Sequence, residues 1–379
     1  MPDPETPEVD LQPVDASHEG GEASEAKLIR AAFGATNRNR LIGRFLDGSA
    51  DPAWMSIYKL ILWTDKTTGL AHCYESDKCQ PGKNWHARNL RFHDWVATSL
   101  GCEPGEVAGT IDWLFRHVAD DYANYMVQRY QQLLDRAAQQ RAPYAGRGFP
   151  EPGDDPEIVA LIRQELGEHL TGTPTLDQWR ALAIKIRDLI SVENKRKNIV
   201  GEGFEDTLAN IIARADGQDR LKLFTRSILP DIPGFANRRA NEKPVKVDLA
   251  LVRAVDQHRI MVTAKWSTRA DREEQIKTDH QKYIAAESLS DTFEYVMVTN
   301  EFDPARLKRA CEWTSGNSKM LHRVVHISPA ALRAVYGDQP EATMAEVVRY
   351  IDNGRIVSID NWIDELLAPP HAHPSNGVR

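Results

Sequence analysis

Apolar positions along this chain change their period near residue 245. Upstream, the spacing is helical. From Glu25 to about Phe45, and again over 52–64 (PAWMSIYKLILWT), apolar residues cluster as helices require. Over 104–141, Leu114, Val118, Tyr122, Tyr125, Met126, Tyr130 and Leu134 recur mostly at three- and four-residue steps. That spacing predicts one long helix, or two, with a single apolar face. The stretch 142–155 (APYAGRGFPEPGDD) interrupts it with three prolines and three glycines, the composition of a linker. Helical spacing resumes at about 156–170 and 175–191, the second opening on Thr175 as N-cap. Gly201 and Gly203 then mark a bend, and Phe204, Leu208, Ile211 and Ile212 mark one face of a further helix.

Beyond 245 the pattern becomes that of strands. VKVDLALVRA (245–254) and HRIMVTAKWS (258–267), with Asp256-Gln257 between them, predict two adjacent antiparallel strands. Residues 268–287 return to helix, EYVMVTN (294–300) reads as a buried strand, and 303–313 as a helix. RVVHIS (323–328) is a short strand, and 340–352 and 360–367 are helical. The order α…ββαβαβαα predicts an α/β (α+β) fold, a mixed sheet flanked by helices behind a mostly helical N-terminal domain. The expected divisions are a disordered acidic tail over 1–25, a helical domain over 26–150, a sheet domain over 151–368 and a second tail over 369–379.

A length of 379 residues suits two domains. With 41% apolar and 27% charged residues, usage is that of an ordinary soluble protein. There is no 18-residue apolar run, so no membrane-spanning helix is expected, and the N-terminal residues lack the basic and apolar regions of a secretory leader. The four cysteines, Cys73, Cys79, Cys102 and Cys311, are too few for a disulfide scaffold and fit a reducing, cytoplasmic setting. The net charge of −8 arises in the tail. Residues 1–26 carry eight acids and no Lys or Arg, so removing those eight from 55 leaves 47 acids against 47 bases elsewhere. The acidic total therefore says little against nucleic acid as a partner. The basic clusters Lys195-Arg196-Lys197 and Arg238-Arg239 are candidates for phosphate contacts, or for ordinary solvated charge.

The chemistry-bearing residues gather around the two antiparallel strands. Asp248 lies near the start of the first and Lys265 at the end of the second, where a carboxylate and an ammonium can share one site. The carboxylate can hold a hard divalent cation. The lysine can orient a water or neutralise charge on a phosphate. An Asp–Lys pair on neighbouring strands is more often simply solvated. The string that follows adds weight: Lys265-Trp-Ser-Thr-Arg269-Ala-Asp271-Arg272 sets two guanidinium forks around one carboxylate at a sheet-to-helix junction. An Arg fork can donate to guanine O6 and N7, and a carboxylate can accept from cytosine N4. An acid at a helix start is also favoured by the helix dipole alone.

Residues 245–279 resemble the PD-(D/E)XK nuclease core, and within it the CCGG family of type II restriction endonucleases. The family's pattern is an Asp on one strand, a Lys closing the next, Arg-Ser-Asp-Arg at four to seven positions beyond, and a displaced acid about fourteen positions after the Lys. Here these fall on Asp248, Lys265, Arg269-Ala270-Asp271-Arg272 and Asp279. Thr263 stands two before the lysine, where the superfamily has an acid and this family also lacks one. GEGFEDTLANII (201–212) resembles the helix that supplies a Glu, with Glu205 as the match and Glu202 as the fallback. The chain departs from the pattern at Val247, where Pro is usual, at Ala270 for Ser, and at Asp279 for Glu. The resemblance spans roughly 190–330.

The resemblance implies Mg²⁺-dependent, sequence-specific hydrolysis of double-stranded DNA at a palindromic site with a CCGG or interrupted CC/GG core. It implies Asp248, Asp279 and Glu205 as metal ligands, Lys265 as the residue acting on the attacking water, and Arg269, Asp271 and Arg272 as base readers. It also implies a homodimer or a tetramer in a bacterial cytoplasm, alongside a cognate DNA methyltransferase. Two alternatives stand beside it: another PD-(D/E)XK DNA nuclease of repair or resolvase type, and a sequence-specific DNA-binding protein without catalysis. His72, Cys73, Cys79 and His86 have zinc-ligand side chains, but a C-x5-C spacing is unlike a zinc knuckle. Trp266 could stack on DNA, though an aromatic there is more often core.

Overall fold

The computed structural model describes residues 30–149, 156–166, 175–236, 245–289, 293–337 and 341–368. The acidic segment 1–25, the pair Arg238-Arg239 and the tail 369–379 lie outside the described residues.

In chain order the principal helices are α1 (Ala35–Asp47), α2 (Ala53–Ile61), α3 (His86–Leu100), α4 (Trp113–Arg141), α5 (Pro156–Leu166), α6 (Leu176–Asn198) and α7 (Phe204–Asp216). Then come α8 (Ala270–Ala286), α9 (Pro304–Glu312), α10 (Pro329–Tyr336), α11 (Ala342–Asp352) and α12 (Ile359–Leu367). The six-stranded sheet holds β1 (Leu221–Thr225), β2 (Leu249–Arg253), β3 (Arg259–Lys265), β4 (Glu294–Thr299), β5 (Arg323–His326) and β6 (Ile356–Ser358), side by side in chain order. β1, β2 and β3 form an antiparallel meander, and β3 through β6 run parallel. The sheet is therefore mixed and flanked by helices, as the alternation of periods suggested. β2, β3 and β4 are buried along nearly their whole length. Strands covered by helices on both faces read as continuous apolar runs, which is why LALV and IMVTA show little alternation.

β1 and β6 were not foreseen. LKLFT carries a lysine between two leucines and is only partly buried, and IVS is three residues long. Both sit at the edges of the sheet, where one side of the strand has no partner to demand a longer pattern.

The described residues form two compact units, and they do not divide at 150. One comprises residues up to Gly34 together with Asp120–Ile186, and the other Ala35–Ala119 together with Arg187 onward. The expected helical domain over 26–150 is thus split. The reason lies in side-chain placement. α1, α2 and α3 pack in the same unit as the sheet, with Tyr58 donating to Asn300 Oδ1 at 2.7 Å and the Ala53 N–H donating to Asp360 Oδ1 at 2.7 Å. The Pro- and Gly-rich stretch supplies a turn of 3₁₀ helix at Ala142–Tyr144 within the smaller unit. In that unit α5 and α6 bring Val159 and Ile162 against Leu182 and Ile186. Thr175 caps α6 reciprocally: Gln178 N–H donates to Thr175 Oγ1, and Thr175 N–H to Gln178 Oε1.

A π-helical turn at Ile199–Gly203 delivers α7 to the sheet. At Gly203 an added Cβ would meet Ile199 Cγ2 at 3.2 Å and Leu114 Cδ2 at 3.3 Å, so the close approach depends on the missing side chain. No helix among the described residues is long and apolar enough to cross a membrane.

Candidate active site

The site is assembled where β1, β2 and β3 end against α7. Asp248 immediately precedes β2, and the antiparallel register sets Leu249 opposite Val262, which brings Asp248 beside Thr263. One carboxylate oxygen, Oδ2, then accepts from Thr263 Oγ1 at 3.2 Å, Ala264 N–H at 3.0 Å and Lys265 Nζ at 2.6 Å. Thr263 thus serves as a hydroxyl donor to the aspartate. Both members of the Asp248–Lys265 pair are mostly covered, yet neither is sealed off.

Glu205 lies in the first turn of α7, and its Oε2 accepts from Arg226 Nη1 at 3.2 Å. Burial pushes the Glu205 carboxyl up to about 7, and the charge of Asp248 adds to the rise; Arg226 and Lys265 hold it back. Asp279, on α8, is likewise raised, first by burial and then by Asp248, against the pull of Lys282 and Lys265. Glu205 and Asp279 thus each lie within electrostatic reach of Asp248 and Lys265. Asp279 also makes an ion pair with Lys282 at 3.5 Å. The fallback Glu202 is more than half exposed and pairs with Arg38 at 2.8 Å.

Among the described residues, no three His, Cys, Asp or Glu side chains form a ready metal cage. The donor chemistry nonetheless suits a hard cation. The carboxyls of Glu205, on α7, and Asp279, on α8, are both held toward the protonated form partly by Asp248, just before β2. Oxygen donors of this kind are what Mg²⁺ takes, and a cation would relieve their mutual repulsion.

Arg226, Arg38 and Asp206 form a supporting network that the sequence reading missed. Arg226 has a left-handed backbone (φ 48°), rare for a residue with a side chain, and its N–H donates to the Asp248 carbonyl at 3.0 Å. Its guanidinium bonds Glu205, the Glu202 carbonyl and Asp206. Asp206, at 1% exposure, is held from its other oxygen by Arg38 Nε at 2.7 Å. The sequence does place Asp206 beside Glu205, but nothing in it reveals the turn that aims Arg226 at both. Truncating Asp206 to alanine leaves Arg38 and Arg226 short of their shared carboxylate. The expected cost is about 3–5 kcal/mol, read as a lower urea midpoint.

The expected readers stand at the head of α8. Arg269 is its N-cap residue and is exposed; Asp271 is exposed, and Arg272 is partly so. Arg272 Nε lies a loose 3.8 Å from Asp271 and its Nη1 donates to Gln275 Oε1 at 3.2 Å. These three are displayed outward rather than locked in a tight surface network.

Other candidates are occupied in packing. The Trp266 ring lies edge-on against Tyr58 and Phe204. Arg196 pairs with Asp112 at 2.7 Å and lies over Phe115, which accounts for the middle residue of the basic segment Lys195–Lys197. Cys73 and Cys79 are buried, and burial pushes both thiols up. The His86 ring meets the Cys79 carbonyl at 3.0 Å, and His72 stands edge-on to Trp63.

Neither a scan against models of known protein families nor a search of the curated proteins yields a match to this chain.

Proposed function

We propose that the chain is a type II restriction endonuclease of the CCGG group with a PD-(D/E)XK core, cutting double-stranded DNA with Mg²⁺. One observation carries the reading. The Asp248–Lys265 pair, 2.6 Å apart, lies at the end of two antiparallel strands, and the helix that begins five residues after Lys265 opens with Arg269 and Asp271 exposed and Arg272 partly so. Chemistry and a reader of G·C pairs are thus set side by side. The three antiparallel strands followed by a helix and a parallel strand also support the nuclease core.

Lys265 presents its ammonium to the scissile phosphate and orients the attacking water. The water oxygen adds to phosphorus as its proton passes to bulk solvent, one bridging P–O bond breaks, and the leaving oxygen takes up a proton from solvent. Asp248, Asp279 and Glu205 would hold Mg²⁺. Bound there, the ion acidifies water and offsets charge at the leaving oxygen. Arg226 fixes Glu205 while its backbone fixes Asp248. Arg269 and Arg272 donate to guanine, and Asp271 accepts from cytosine. A palindromic target calls for two protomers, each reading one half-site.

The test is a digest of sequenced DNA with Mg²⁺ and with EDTA. Discrete Mg²⁺-dependent fragments sharing a CC/GG core are expected. No cleavage of several CCGG-bearing DNAs, with binding intact, leaves a binding protein; a smear leaves a nuclease without the assigned readers. A Mg²⁺ titration of the same reaction adds a pH signature. Glu205 titrates at about 7, so below that pH a proton competes with the cation for it. The half-saturating Mg²⁺ concentration should fall about tenfold between pH 6 and pH 8.

A further inference from the structure

Three residues, Trp266, Ser267 and Thr268, separate Lys265 from Arg269. Their conformation sets where Arg269 and the head of α8 lie relative to Lys265. The end of β4 holds them. The Asn300 N–H donates to the Trp266 carbonyl at 3.1 Å, and the Thr268 N–H donates to Glu301 Oε2 at 2.6 Å.

Glu301 is 1% exposed. A buried carboxylate is tolerated when its oxygens are bonded. Oε1 accepts from the Asp303 N–H at 2.8 Å, and Oε2 from Thr268 and from Arg306 Nη1 at 3.3 Å. Its main chain is fixed as well: the Glu301 N–H donates to Thr299 Oγ1, and the His326 ring meets the Glu301 carbonyl at 3.0 Å. Both neighbours belong to central strands of the sheet. A buried charge adds little stability over an apolar residue of like volume. What this one does supply is a rigid acceptor one residue before Arg269.

Resting on the nuclease reading above, we propose that Glu301 is a positioning residue for base recognition: it fixes the Thr268 amide and thereby the aim of Arg269, Asp271 and Arg272 relative to Lys265. Cutting and reading are then coupled through the sheet.

The experiment uses full-length wild type, Glu301→Ala, Glu301→Gln and Arg269→Ala. Affinity is measured in Ca²⁺ for a CCGG-centred duplex and for one with a scrambled core, beside amide exchange at Thr268. In Glu301→Ala, Thr268 exchange is expected to accelerate. The preference for the CCGG duplex should fall about tenfold, toward that of Arg269→Ala, with affinity for the scrambled duplex retained. Glu301→Gln keeps one acceptor oxygen and should fall between. A folded Glu301→Ala that keeps its full preference overturns the proposal. Should alanine prevent folding, Glu301→Gln decides: accelerated Thr268 exchange with undiminished preference overturns it equally. Failure of the nuclease reading has a separate signature, since wild type and Arg269→Ala would then bind both duplexes alike, and the proposal falls with it.

Discussion

Replacing Lys265 by alanine is expected to lower Mg²⁺-dependent cleavage about 100- to 1,000-fold, the usual effect of deleting one preorganised donor at developing charge. The variant should still fold with one cooperative thermal transition, because losing the lysine of a mostly covered pair costs at most about 3–5 kcal/mol. That contrast is the informative part. Asp248 retains the Thr263 hydroxyl and the Ala264 amide when Lys265 is lost, so the strands keep their register. Arginine should not restore the rate. Its planar fork differs from a compact ammonium in both reach and donor geometry. Single-turnover cleavage beside a thermal melt checks both halves. Near wild-type cleavage by Lys265→Ala would remove the assigned site.

The second large effect is at Arg269 and Arg272. Each alanine variant should lose about 1–3 kcal/mol of discrimination, a factor of about 5–150, at the base pair it reads. Asp271→Asn should weaken the preference for cytosine while leaving the backbone contacts alone. Phosphate contact would look different: affinity would fall uniformly across sequences and the salt dependence would become shallower. Cleavage rates on a panel of single-base variants of the site, at two salt concentrations, separate the two roles.

Asp248, Lys265 and the helix-head triplet are visible in the sequence because they lie within one local stretch. The strand period there is unbroken, and a short link favours antiparallel pairing, so the carboxylate meets the lysine by register. Glu205 is visible as a motif but not as a neighbour. Its approach to Asp248 depends on the π-helical turn and the bare Cα of Gly203. Arg226 is hidden because its role needs a left-handed backbone at the end of an edge strand with little apolar signal. Glu301 is hidden for another reason. It follows a buried strand, and a sequence says nothing about which loop its carboxylate will meet. The boundary at 150 misled because a Pro- and Gly-rich turn marks a change of direction, whether or not a core ends there.

The Asp360 carboxylate of α12 caps α2, whose own N-cap residue, Pro52, has no side-chain acceptor to offer. The donor and the acceptor are 307 residues apart. During synthesis, therefore, the first turn of α2 emerges long before its cap does. Tyr58, on the same helix, must also wait for Asn300. The larger unit thus closes as a clasp joining segments far apart in the chain, and α2 acquires these two partners only after residues 300 and 360 have been made.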